Sequence, residues 1–282
     1  MQDNFELSNP NSKNYIQTSF WEVLLIIVLF FVFLTISSIF PVLFLFLDME
    51  DAMMICMPII WVFPFICTFV LYYFLFMKNK NESYNFKINF STPFYLYPIF
   101  LIAFIGLFFI NEYITNLIPT DVPVLKQWYK MLEETYKMLD KYPFIMVFVI
   151  AFMAPIFEEL LFRGIILRGL LNNGTNPTLA IIFTAVLFGV VHLNPWQFIG
   201  ATLLGSFMGW VFYKTKSLLN TILLHFFNNA TGCFFYFQYG NVNISDISSY
   251  TKESFLVMGI LIFAIFSFIF HHFTKNNKWI SY

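Results

Sequence analysis

The stretch Ala151-Phe-Met-Ala-Pro-Ile-Phe-Glu-Glu-Leu-Leu-Phe-Arg-Gly164 places Glu158, Glu159 and Arg163 inside an apolar run from Phe144 to Leu171. A helix needs roughly 20 such residues to cross a bilayer, and this run has them. Ionisable side chains at that depth are expensive, so a working site is the default expectation. The spacing divides the three. Glu159 and Arg163 stand four apart, on one helical face and in the favourable order of acid before base. Glu158 sits roughly 100° further round the helix. The sequence therefore predicts one structural carboxylate neutralised by Arg163 and one free to do chemistry.

The rest of the chain has the composition of a membrane protein. Of 282 residues, 59% are hydrophobic and 11% charged, and 41 are Phe. A soluble domain of this length has no use for so much apolar surface. The net charge of −1 excludes a nucleic-acid partner, since no basic face exists to neutralise phosphates. Cys56, Cys67 and Cys233 lie in apolar runs without metal-ligand spacing and read as small core residues. The polar first 19 residues lack the basic, apolar and cleavage-site pattern of a removable signal peptide.

Eight candidate spans follow, at about 20–47, 52–77, 94–114, 144–171, 176–195, 196–215, 217–238 and 255–273. Pro41, Pro58 and Pro64 predict kinks in the first two. With the N-terminus inside, Lys13, Lys78, Lys80, Lys87, Arg168, Lys214, Lys216, Lys275 and Lys278 face the cytoplasm. Lys126, Lys130, Lys137, Lys141 and Lys252 face out, so the bias puts both termini inside. Four of those five belong to the segment Val124 to Lys141, which sets Leu125, Trp128, Leu132, Tyr136 and Leu139 on one side. It reads as an interfacial helix lying on the bilayer.

Further polar residues occur within the later spans. His192 ends Phe188-Gly-Val-Val-His192, and His225 and Asn229 share a helical face at i, i+4. From the cytoplasmic ends of their spans, Glu158 lies about 20 Å deep, His192 about 24 Å, His225 about 12 Å and Asn229 about 18 Å. These depths agree within one or two turns, so convergence near mid-membrane is allowed. Either residue type also serves as helix–helix glue in membranes.

A carboxylate in an apolar cavity suits general acid/base work near neutral pH. Glu158 could take a proton from a water held by a neutral His192. His225 and Asn229 could then donate to the oxygen on which charge develops when an amide carbonyl is attacked. No Ser or Cys nucleophile has a base at a fixed helical spacing; Ser206 and Cys233 come nearest. Zinc bound by the Glu and His residues is the alternative. A His-x-x-x-His pair on one helix would favour it, but Asn229 stands where the second His would be.

Glu158-Glu159-x-x-x-Arg163, Phe188-x-x-x-His192 and His225-x-x-x-Asn229, in that order, resemble the three motifs of the CPBP family of intramembrane proteases. That family includes the type II CAAX prenyl protease and the bacterial Abi proteins. The resemblance covers roughly residues 144–240 and implies an all-α bundle of about eight transmembrane helices around a polar cavity. It implies Glu158 as the catalytic carboxylate with His192 as its water-holding partner, and His225 and Asn229 as oxyanion donors. Glu159, Arg163 and Phe188 would support the site, and no cofactor or metal would be needed. The expected layout is a cytoplasmic tail over 1–19, helices over 20–114 and an interfacial segment over 115–143. The core follows over 144–240, then a last helix and tail over 241–282. The expected partners are the lipid bilayer of a bacterial cell membrane and a membrane-associated peptide or protein substrate. A scaffold or immunity protein on the same fold is the non-enzymatic alternative, and solute transport finds no matching broken-helix halves.

Overall fold

The protein is described here by a computed structural model covering residues 16–78, 88, 92–240 and 251–275. Lys13, Lys80, Lys87 and Lys278 of the charge-bias argument lie outside the described residues, with most of both polar tails. Among the described residues the structure is entirely helical. The elements are α1 (Phe20–Ser37), α2 (Ile39–Phe46), α3 (Glu50–Met77), α4 (Leu96–Thr115) and α5 (Pro123–Lys141), then α6 (Pro143–Asn172), α7 (Pro177–Val190), α8 (Pro195–Thr215), α9 (Leu218–Tyr239) and α10 (Lys252–Lys275).

Five segments have the length and apolarity to cross a membrane: Phe20–Phe46, α3, α4, α6 and α10. The protein is thus a polytopic all-α membrane protein. The count differs from the expected eight for a physical reason. Helix α7 has 14 residues, about 21 Å of rise, which is short for a bilayer core of about 30 Å. Helices α8 and α9 have 21 and 22 residues but carry the Gly, Thr, Asn and His residues of the interior and fall short in hydropathy. Of the five apolar segments α6 is the most buried, at 39% of its window against 17% for α10. It packs on α3, α5, α7, α8 and α9.

The prolines act where the sequence places them. Pro41 ends the first helix three residues earlier, at Ser38, where the chain turns before α2. Pro64 in α3 has no N–H to offer the carbonyl of Ile60. The buried Ser37 hydroxyl of the neighbouring helix donates to that oxygen instead, at 2.6 Å. A freed carbonyl within a membrane must find such a donor.

Helices α4 and α10 cross at Gly106 and Gly259, where a Cβ on Gly259 would lie 2.7 Å from the Gly106 carbonyl oxygen. Small residues permit this backbone approach. Gly259→Leu is therefore expected to separate the pair and cost about 1–3 kcal/mol or more. Thermal unfolding in detergent measures it, and an unchanged midpoint would mean that the close contact contributes nothing.

Helix α5 lies across one end of the bundle. Tyr129 meets Trp196 at the start of α8, with ring centroids 5.2 Å apart. On the apolar side of the helix Trp128 is 42% exposed, while Leu125 and Leu132 are half-buried, as is the neighbouring Tyr129. The side chains of Tyr136 and Leu139 lie outside the described residues. At its other end three polar contacts fasten the helix: Lys141 Nζ to Glu50 at 2.6 Å, the Tyr142 hydroxyl to Asp51 at 2.7 Å, and the Tyr236 hydroxyl to Asp140 at 2.9 Å. The Glu50 carboxylate raises the Lys141 pKa above its ordinary value. This contribution is complete below the usual lysine range and disappears as pH rises through the raised value. Hydrogen-exchange protection over residues 123–141, taken relative to the base-catalysed intrinsic rate, should accordingly fall only in strong base, not between neutral and mildly alkaline pH.

Candidate active site

Pro143 starts α6, and the helix runs without a break to Asn172. It widens twice, in π-helical turns at Phe148–Met153 and Leu160–Leu167. Between them one short α-helical stretch, Ala154–Glu159, carries both glutamates. Turns of this kind recur at functional sites because they re-aim side chains without ending the helix.

Glu159 is fully buried and Arg163 is 1% exposed. Arg163 Nη1 donates to Glu159 Oε1 at 2.8 Å, and Nη2 donates to the Gly205 carbonyl of α8 at 2.8 Å. The guanidinium carbon lies 4.8 Å from the centroid of the Phe188 ring. The i, i+4 pairing read from the spacing is thus present. Glu159 also makes contact beyond the reach of helical spacing: the same Oε1 lies 3.0 Å from His225 Nδ1 on α9. Because the Arg163-paired carboxylate accepts, that nitrogen carries the proton. The fixed ring then turns Nε2 toward Glu158 Oε2, 3.8 Å away.

Glu158 Oε2 and Glu159 Oε2 are both buried without a hydrogen-bond partner among the described residues, but the Glu158 side chain as a whole keeps 14% exposure and that of Glu159 none. A buried oxygen left so is costly unless a proton or a ligand meets it.

The sequence predicts His192 within the fifth span. It lies instead just beyond α7, in the turn 191–194, because that helix stops at Val190. The next helix starts at once, with Asn194 accepting from the Gln197 N–H and Pro195 in the first turn. Leu193 takes a left-handed conformation at φ 56°, which costs a branched side chain about 1–2 kcal/mol. His192 Nδ1 donates to the Phe188 carbonyl at 2.7 Å, so Nε2 is left as an acceptor.

Phe188 stands among these groups. Its ring meets His192 and His225 edge-on at centroid separations of 5.1 and 5.6 Å, besides the Arg163 cation. Asn229 lies one turn beyond His225 on α9. Its Nδ2 donates to the Ile150 carbonyl of α6 at 2.8 Å, which ties α9 to α6 and commits one of its two N–H groups.

No group of three His, Cys, Asp or Glu with the spacing of a metal site occurs among the described residues. Two cavities, of about 430 Å³ beside Asp48–Ala52 and Lys141 and about 600 Å³ beside Glu253–Ile262, are lined by neither Glu158 nor Glu159. Cys233 packs with Met53, Met54 and Met146 as a small core residue.

Gly205 is the site contact that the sequence left unmarked. It lies outside the three motifs, and a glycine in an apolar helix gives no signal of what its carbonyl will bind.

This is the site of a helical membrane protein whose polar groups come from α6, the α7–α8 turn and α9. Residues 140–231 match the family model described as type II CAAX prenyl endopeptidase Rce1-like. That stretch contains all three motifs, so the resemblance read from them holds there. Among curated proteins, YdiL of Bacillus subtilis strain 168, named as a candidate membrane peptidase, is 31% identical over 86 residues. UPF0177 protein YxdF of Lactococcus lactis subsp. lactis strain IL1403 is 28% identical over 86 residues. Each match covers 30% of this chain, and they span 35% and 46% of those relatives' own lengths. No solved structure matches the chain.

Proposed function

We infer that the protein is an intramembrane endopeptidase that hydrolyses a peptide bond by water activated at Glu158. The observation that carries this reading is the inequality of the two glutamates. Each keeps a buried Oε2 with no hydrogen-bond partner among the described residues, but Glu159 is closed to solvent with its Oε1 engaged by Arg163 and His225, whereas the Glu158 side chain keeps 14% exposure. A base must be reached by the water it deprotonates, and of the two only Glu158 keeps any exposure.

The roles follow from the nitrogens. Glu158 removes a proton from water as the oxygen adds to the scissile carbonyl carbon. His192 Nε2 accepts the water's other hydrogen in a hydrogen bond. Charge then develops on the carbonyl oxygen. His225 donates to it from Nε2 and, with Nδ1–H engaged by Glu159, acts in its doubly protonated form. The second N–H of Asn229 can reach the same oxygen. When the C–N bond breaks, Glu158 returns its proton to the leaving amine. Glu159, Arg163 and Phe188 hold the imidazoles in place.

The substrate is a membrane-associated protein or peptide precursor, reached in a bacterial cell membrane with both chain termini on the cytoplasmic side. The matches to the endopeptidase family model and to YdiL support the reaction class. No cofactor enters this mechanism. A zinc variant using the Glu and His residues would need three ligands around one point. No such group of three occurs among the described residues, which is why the water mechanism is preferred.

The test is a peptidase assay on purified protein in detergent, with and without a strong zinc chelator. The panel holds prenylated and unprenylated peptides and small membrane-peptide precursors. Cleavage that survives the chelator is the expected result. Loss restored by added zinc would replace the water mechanism with the metal one. If no peptide is cut and Glu158→Gln keeps the cellular phenotype, the protein is a scaffold and the enzymatic reading fails.

A further inference from the structure

Gly205 contributes to the site twice. Its carbonyl oxygen accepts from Arg163 Nη2 at 2.8 Å. Its missing side chain leaves room for two neighbours: a Cβ there would stand 3.0 Å from Phe188 Cδ1 and 3.1 Å from Arg163 Nη2. Both separations are tighter than a packed core tolerates without shifts of its side chains. The guanidinium is therefore held between the Gly205 backbone and the Phe188 ring, and its other nitrogen reaches Glu159 Oε1. That oxygen also takes the His225 Nδ1 proton. The contacts thus run from α8 through Arg163 and Glu159 to the imidazole whose Nε2 faces Glu158. The ring that a Cβ would press, Phe188, touches both histidines.

We propose that Gly205 is a positioning residue for the reaction, fixing Arg163 and through it the Glu159–His225 hydrogen bond and the aim of His225 Nε2. The proposal rests on the preceding assignment of Glu158 and His225 as catalytic groups. It adds a fourth helix to a site whose motifs lie on three others. Gly209, one turn further along α8, is a control supplied by the fold. A Cβ there would meet Ile181 Cγ2 at 3.1 Å, a similar closest approach, with Leu167 next at 3.5 Å.

The experiment is ¹⁵N-histidine NMR on the full-length protein in detergent micelles, with the His225 signal identified by its loss in His225→Gln. In the wild type the His225 Nδ1–H signal should be protected from exchange with water. Gly205→Ala should raise that exchange at least about tenfold or abolish the signal, and Gly209→Ala should leave it protected. Protection retained in Gly205→Ala overturns the proposal, as does a wild type without a protected signal. Equal loss in Gly209→Ala also overturns it, since packing alone would then explain the effect. Should Gly205→Ala not accumulate as folded protein, Arg163→Lys decides. It keeps the charge but cannot span Gly205 and Glu159 together, so retained protection there refutes the idea. None of these readouts needs a substrate, so they succeed or fail separately from the peptidase assay. On any peptide that the wild type cleaves, Gly205→Ala should lower kcat about tenfold with KM within about twofold, because a small misplacement of a catalytic group costs rate rather than binding.

Discussion

Glu158→Gln is expected to lower peptide hydrolysis about 10²- to 10⁴-fold, the range that a positioned general base supplies. The same substitution should leave folded yield and thermal midpoint in detergent unchanged. Glutamine keeps the shape of the side chain. It also loses no hydrogen bond, since the buried Oε2 has no partner among the described residues. The two readouts together make the test sharp. An active Glu158→Gln protein would remove Glu158 as the base. An inactive one that also fails to fold would show that Glu158 has a structural part that the geometry does not reveal.

Arg163→Ala should have the opposite signature. It strands Glu159, which is fully buried, without its cation. Breaking a buried pair by removing one partner costs about 3–5 kcal/mol. The loss of the stacked guanidinium also opens a void beside Phe188. Little folded protein should survive extraction, and normal thermal stability would refute the pairing. A double variant separates fold from chemistry. Replacing both members, Glu159→Leu with Arg163→Met, removes the charges together and should restore folding, because well-packed apolar residues can replace a buried ion pair at no cost. Hydrolysis should remain absent, since His225 Nδ1 would have lost its acceptor. Recovered activity with both residues replaced would mean that the Glu159–His225 contact is dispensable.

Both predictions turn on two adjacent carboxylates that differ only in environment. Desolvation makes either one expensive, and the helix decides which is compensated. One position along the chain is a rotation of roughly 100°, enough to send Glu159 to Arg163 and leave Glu158 at the edge of the site. Two residues of one type thus occupy different environments, one carboxylate paired with Arg163 and the other not.

The sequence by itself determined the membrane class, the positions of the long apolar helices, and the pairing of Glu159 with Arg163. It did so because bilayer thickness sets span length, and helical periodicity sets which neighbours meet. Tertiary packing decided everything that depends on another helix. Whether α7 could be a full span was settled by its early stop at Val190, which put His192 in a turn. One N–H of Asn229 is committed because the carbonyl of Ile150 lies opposite it. The contact from Glu159 to His225 crosses 66 positions of chain, and that from Arg163 to Gly205 crosses 42. Local spacing encodes neither. In a membrane interior, where water cannot complete a hydrogen bond, each polar group takes whatever partner the neighbouring helix brings within reach, and only the assembled bundle fixes which partner that is.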